Sequence, residues 1–333
     1  LKKVRAILQY TVLLGVAALL IWFSLRGLVV AEGENKLDFL WNTYRQADQF
    51  WLWAMAAVAL LSHIIRAERW RMLLAPSGNS IGLLNSFLSL MIGYLVNLVV
   101  PRGGEVSRCY NLYKLEKTPV EVSFGTVVVE RIIDVICLLV LIGLAFIMEW
   151  DKLMGFLNTL PIGSGGGSFS IPAWAYVAMV GVGGLAVLVF LFRKNEKLQR
   201  LWAGFKEGLV SVFRLRQKGL FLTYSVLIWV LYFITSYCVI KAFPQTAELG
   251  FSAVLTLFAL GSIAMAVPLP GGTGSYHTIV PLGLTALYQL PKADAIAFVF
   301  IFHAWQTLLM IVAGVICLLM SYWIIRWKRP QPK

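Results

Sequence analysis

Long apolar runs broken by short polar stretches set the plan of this chain. Runs over 7–23, 51–65, 173–192, 220–243 and 295–322 approach or exceed the ~20 residues a helix needs to cross a bilayer. A sixth span is predicted from Thr118-Pro119-Val120-Glu121. That tetrapeptide has the form of a capping box with proline at the first helical position, and the apolar pattern continues to about Trp150. The first run follows Lys2, Lys3 and Arg5 and has no small-residue cleavage site after it, so it reads as a retained span with its N-terminus inside. The segment 32–50 has a different pattern. It leans acidic, with Leu37, Leu40, Trp41 and Tyr44 at helical spacing, which predicts an amphipathic helix at the outer interface.

Two apolar stretches do not behave as spans. The run 83–100 ends in Pro101-Arg102-Gly103-Gly104. A full crossing there would put Arg102, Arg108, Lys114 and Lys117 outside, against the positive-inside rule, so 83–117 is predicted to be a re-entrant helical hairpin from the cytoplasmic side. The run starting at Phe251 meets Pro268-Leu269-Pro270-Gly271-Gly272-Thr273-Gly274 and resumes to Leu290. With the final span ending inside on Arg326 to Arg329, the stretch 251–290 must begin and end outside, as a second hairpin.

This accounting makes the halves mirror one another. Residues 1–150 form a first membrane repeat and 173–333 a second, joined by an outer loop at 151–172 that carries a Gly/Ser run over 163–168. Each repeat holds two spans, one Pro/Gly-broken hairpin and a last long helix. The helix after Pro119 carries Arg131 and Asp134 twelve and fifteen residues on, and the helix after Pro291 carries His303 and Gln306 at the same offsets. The expected fold is an all-α polytopic membrane protein with about six full transmembrane helices and two opposed re-entrant helical hairpins in an inverted repeat. Transporters use that architecture, with their site near the midplane. Both termini are expected on the cytoplasmic side of the cell inner (plasma) membrane.

Composition agrees: 59% of the 333 residues are hydrophobic and 14% charged. The net charge of +13 would suggest nucleic acid in a soluble protein; here it reads as loop charge facing an anionic leaflet, and no nucleic-acid partner is expected. The basic segment 193–218, with Trp202, Phe205, Leu209 and Phe213 among its charges, is expected to be a cytoplasmic surface helix resting on anionic lipid. Cys109, Cys137, Cys238 and Cys317 show no metal-ligand spacing and read as free thiols.

The candidate chemistry sits where polar residues interrupt apolar ones. Arg102 and Arg108 can grip a phosphate bidentately, or they are interfacial arginines obeying the charge rule. Glu105 is placed to pair with one of them until substrate arrives, or forms a plain ion pair with Arg108 three residues on. Asn97 is placed to satisfy backbone groups at the break. Glu130 and Asp134 share a helix face with Arg131, at a depth where each charge costs on the order of 3 kcal/mol. They line a headgroup path, relay protons, or lock the two repeats together. Gly271 and Gly272 let the second hairpin bend and present backbone N–H groups. His277 and His303 are candidates beside that turn, or satisfied core histidines. No metal spacing, Ser-His-Asp order or Walker-type loop is present, so no cofactor and no catalytic activity are expected.

Asn97-x-x-x-Pro101-Arg102-x-Gly104-Glu105-x-x-Arg108, then Glu130-Arg131-x-x-Asp134, then Pro270-Gly271-Gly272-x-Gly274 together resemble the flippase-like membrane domain of lysylphosphatidylglycerol synthases. The resemblance covers nearly the whole chain, and the RAERWR segment at 66–71 adds to it. It departs from the family pattern at His277, where a Glu is common, so a carboxylate role there is in doubt. The chain stops at Lys333 without the soluble aminoacyltransferase domain, so headgroup synthesis is not expected. The resemblance implies movement of an anionic or phosphate-bearing lipid or glycolipid between leaflets. The rival readings are a proton-coupled small-solute transporter, an intramembrane enzyme acting on a lipid-linked phosphate, and a scaffold for a lipid-modifying partner.

Overall fold

A computed structural model describes residues 19, 22, 28, 35–78, 80–159, 196–267 and 269–327. The predicted span at 173–192, the Gly/Ser run at 163–168 and nearly all of the predicted span at 7–23 lie outside the described residues.

The described residues are helical. Helix α1 (Lys36–Gln46) is capped by Asn35, whose Oδ1 accepts from the Leu37 amide at 3.0 Å. Helix α2 (Gln49–Leu74) follows at once, capped by Asp48, whose own amide donates to the Ala242 carbonyl at 2.7 Å. Such caps satisfy the amides a helix start leaves open. Then come α3 (Leu83–Asn97), α4 (Gly103–Glu116), α5 (Val120–Met148), α6 (Trp150–Thr159), α7 (Glu196–Val210), α8 (Lys218–Ala242), α9 (Phe251–Ala266), α10 (Ser275–Tyr288) and α11 (Lys292–Trp327). Among them α2, α5, α8 and α11 are long and apolar enough to cross a membrane. The protein is an all-α membrane protein.

Three local expectations are corrected. The capping box at α5 does not form: Pro119 is the cap residue, and the Thr118 hydroxyl, one residue too early to reach the first turn, has no partner. Part of the predicted outer loop, 150–159, is helix α6, set off from α5 where Glu149 leaves helical geometry at φ −128°. The basic segment does not merely rest on a surface. Gly204 and Gly208 bring α7 against Glu121, Val122 and Gly125 of α5 so closely that a Cβ on Gly208 would strike the Val122 carbonyl. Small residues permit that backbone contact, as in membrane helix pairs generally. Leu201, Trp202, Lys206 and Glu207 remain exposed.

Helices α3 and α4 form one hairpin and α9 and α10 another, each broken at a Pro/Gly turn. Their legs of 14 to 16 residues rise roughly 21–24 Å, short of the ~30 Å hydrocarbon core. Packing between the halves is reciprocal. α2 lies along α8, the first hairpin's α3 packs on α11, and the second hairpin's α9 packs on α5. Each half therefore lends its hairpin to the other half's last helix, and the two hairpin tips meet between them.

Candidate functional site

The first tip is built by a close approach. Asn97 Oδ1 accepts from the Gly104 amide at 2.7 Å, as its position at the break suggests. A Cβ on Gly104 would run into the Gly93 carbonyl and the Asn97 side chain, so only glycine lets α4 turn back this tightly on α3. Between the legs, Arg102 sits in left-handed backbone geometry at φ 62°, an uncommon conformation for a residue with a Cβ. Its Nη2 crosses to the other hairpin and donates to the Ala266 carbonyl at 2.9 Å.

The second tip is held by histidines. His303 Nε2–H donates to the Gly271 carbonyl at 3.1 Å, and His277 Nδ1 accepts from the Gly274 amide at 3.3 Å. The two rings meet edge to face with centroids 4.7 Å apart. Gly271, Gly272 and Gly274 all have positive φ, which glycine adopts without strain. The Gly272 amide is spent inside the turn on the Leu269 carbonyl, so it is not among the N–H groups open to a ligand.

Between the tips lies a cavity of about 260 Å³. One buried water needs only ~15 Å³ by a like measure, so the space holds several waters or a small headgroup. Tyr94 and Asn97 of α3, Arg102, Glu105 of α4, Arg131 of α5, Gly271 and Gly272, and His303 and Gln306 of α11 line it. Arg131 and His303, at matching offsets in the two halves, thus share one wall-lined space.

Behind this cavity is a buried ion network. Arg108 Nη2 lies 2.5 Å from Glu130 Oε2, and its guanidinium stacks 4.6 Å over the Trp70 ring. Asp134 accepts from Arg66 at 2.7 Å and from Arg69 at 2.9 Å; Arg69 also lies 3.5 Å from Glu130. Arg66 reaches on to the Tyr232 hydroxyl at 2.8 Å. The network thereby ties α2, α4, α5 and α8 together in the interior. Arg131 stands at its edge, 3.5 Å from Asp134 and 3.8 Å from Glu105, with its side chain 38% exposed.

The structure thus divides the predicted residues. Arg102, Glu105, Arg131, Gly271, Gly272 and His303 meet at the cavity; Arg108, Glu130 and Asp134 lie in the network behind it, and His277 behind His303. Arg108 does not line the cavity beside Arg102; it stands behind it with Nη2 on Glu130 and its guanidinium over Trp70. Glu105 pairs with neither arginine predicted for it, but loosely with Arg131. The sequence reading missed Arg66 and Arg69, which at the end of an apolar run look interfacial; both are buried. Their spacing held the clue: Arg66 and Arg69 share one face of α2 with His63, whereas the half-exposed Arg71 turns to Glu68.

Residues 9–314 match the family described as the lysylphosphatidylglycerol synthase TM region. The chain belongs to this family. Among its relatives, the UPF0104 membrane protein MJ1595 of Methanocaldococcus jannaschii is 38% identical over 22% of this chain and 23% of its own length. The glycosyltransferase AglD of Haloferax volcanii is 28% identical over 81% of this chain, and this chain spans about half of it, 48%. The UPF0104 membrane protein MJ1078 of M. jannaschii is 27% identical over 60% of this chain and 81% of its own length. No solved structure matches this chain. Membership of the lysylphosphatidylglycerol synthase TM-region family makes this a multi-pass membrane protein and puts both hairpin tips, the cavity and the ion network inside the matched region.

Proposed function

We propose that this protein carries an anionic or phosphate-bearing lipid headgroup between leaflets, binding it in the cavity between the hairpin tips. The observation that carries the reading is an imbalance of charge along and behind the wall of that cavity. Arg66, Arg69, Arg108 and Arg131 face Glu105, Glu130 and Asp134, leaving one positive charge over. Arginine does not lose its proton in proteins, so the excess calls for an anion. The family name and the name of AglD both place relatives in membrane-lipid and glycosyl chemistry, which agrees with such a cargo.

In this reading the two short hairpins are re-entrant and enter from opposite faces, with both termini in the cytoplasm and the chain in the cell membrane. Their tips replace lipid by protein and water at mid-depth, the condition under which broken backbone and charge are tolerated there. Arg131 and Arg102 contact the headgroup, and the tight pairs behind them keep the wall in place. Acyl chains stay in the bilayer while the headgroup crosses. The role requires no bond-breaking step.

The test uses proteoliposomes carrying NBD-labelled phosphatidylglycerol, phosphatidic acid or phosphatidylcholine, with dithionite quenching to report inward and outward exchange. The expected result is exchange of an anionic lipid well above that of phosphatidylcholine, reduced about tenfold or more by Arg131→Ala. Exchange of all three lipids at the rate of protein-free vesicles would defeat the reading.

A further inference from the structure

We infer that the cavity selects a phosphomonoester, the doubly charged terminal phosphate, over a singly charged phosphodiester. This rests on the headgroup reading above and names the class of headgroup. The argument is one of charge and of open donors. The buried network leaves one positive charge uncompensated. Arg102, exposed at the cavity wall, adds a second, and its guanidinium donates to a neutral carbonyl, that of Ala266. Neither excess charge can be shed by deprotonation. A diester brings one negative charge and leaves an arginine unmatched; a monoester brings between about 1.5 and 2 at neutral pH and matches both.

Geometry agrees with charge. The pairs within the network are tight, at 2.5 to 2.9 Å, for Arg108–Glu130, Arg66–Asp134 and Arg69–Asp134. The contacts of Arg131, the one of these arginines on the cavity wall, are loose, at 3.5 and 3.8 Å, and its Nε is buried without a hydrogen-bond partner, as are the Nε atoms of Arg66, Arg69 and Arg108 behind it. The Tyr94 hydroxyl on the same wall also lacks a partner. Buried polar groups are rarely left so, and an unmet donor at a cavity marks where an acceptor fits. A monoester offers three terminal oxygens, enough for forks from Arg131 on one helix and Arg102 on the facing tip plus the tyrosine hydroxyl; a diester offers two.

The titratable and charged groups around this space are Tyr94 on α3, Arg102, Glu105 with Arg108 on α4, and Arg131 with Glu130 and Asp134 on α5. The others are His63, Arg66 and Arg69 on α2, Tyr232 on α8, Tyr276 and His277 on α10 and His303 on α11. The pH response that matters belongs to the ligand, because a phosphomonoester loses its second charge below a pKa of about 6.

The experiment is calorimetric titration of the purified full chain with dihexanoyl phosphatidic acid and dihexanoyl phosphatidylglycerol at pH 8 and pH 5. Methyl phosphate and dimethyl phosphate serve as headgroup chemistry without lipid. The expected result is phosphatidic acid bound at least about tenfold more tightly at pH 8, narrowing to within about threefold at pH 5. Arg102→Ala should reduce the pH 8 preference to about threefold while phosphatidylglycerol still binds. Equal affinities at pH 8, or a preference unchanged at pH 5, would overturn the inference and leave the headgroup reading standing. Binding of neither lipid would remove both. Methyl phosphate bound as tightly as phosphatidic acid would keep the monoester preference and assign it to a free phosphate ester.

Discussion

Arg108 and Glu130 form a tight, enclosed ion pair behind the site: Nη2 and Oε2 stand 2.5 Å apart, with the two side chains 3% and 0% exposed. Burying two charges costs several kcal/mol each, which their attraction offsets only while both are present. Single substitutions Arg108→Met and Glu130→Met should each lower stability by about 3–5 kcal/mol, because each strands the other charge. The double substitution should recover most of that loss. Thermal unfolding of the four proteins in one detergent decides it; additive losses in the double variant would mean the pair is not coupled.

Arg131 and Arg69 should separate binding from stability. Arg69 is fully buried and its Nη2 is 2.9 Å from Asp134, whereas Arg131 is partly exposed with longer contacts. Arg131→Ala should cost less stability than Arg69→Ala, because its contacts are longer and it is partly exposed, yet lower the anionic lipid found with the purified protein. Arg69→Ala should lower the unfolding temperature sharply. Mass spectrometry of bound lipid in wild type, Arg102→Ala and Arg131→Ala is the readout, and equal, unselective lipid in all three would count against the cavity as a headgroup site.

Gly104→Ala should disturb the first hairpin without touching a charge. The added methyl meets the Gly93 carbonyl and Asn97, so the legs must part, at a cost of about 1–3 kcal/mol typical of overpacking. Parting the legs also moves Arg102 and Glu105, so lipid exchange should fall with stability. Gly143→Ala, inside α5 where a Cβ meets nothing within 4 Å, is the matched control; it should keep exchange and leave stability equal or higher by up to about 1 kcal/mol.

Glu149 gives a pH-dependent contribution at the α5–α6 corner. Burial works to raise its pKa, but the Ser252 hydroxyl and the Lys152 ammonium at 2.9 Å prevail and hold it below the usual carboxylate range. A carboxylate depressed in the folded state stabilises above its unfolded pKa of about 4.3, and that contribution disappears as pH falls through the lower folded value. Glu149→Gln should therefore be less stable than wild type at pH 7, with the gap closing below about pH 4. A gap that is the same at pH 7 and pH 3.5 would refute the assignment.

The sequence by itself determined the membrane class, most helix boundaries and the two broken hairpins. Apolar length and Pro/Gly breaks are local properties, and lipid permits few backbone solutions besides a helix. α8, α9 and the start of α2 lie within a few residues of where the apolar runs place them. It also singled out Arg102, Glu105, Arg131 and the Pro270 turn, because charge and glycine next to apolar runs stand out without any partner in view. What it left open was pairing. Whether Arg108 meets Glu105 three residues away or Glu130 on another helix depends on how α4 crosses α5, and no periodicity carries that angle. Arg66 and Arg69 look like ordinary interfacial arginines until α5 sets Asp134 beside them. The tertiary structure alone decided which charges are spent on each other and which face the cavity, because an ion pair is a relation between helices far apart in sequence, whereas hydropathy belongs to each helix separately.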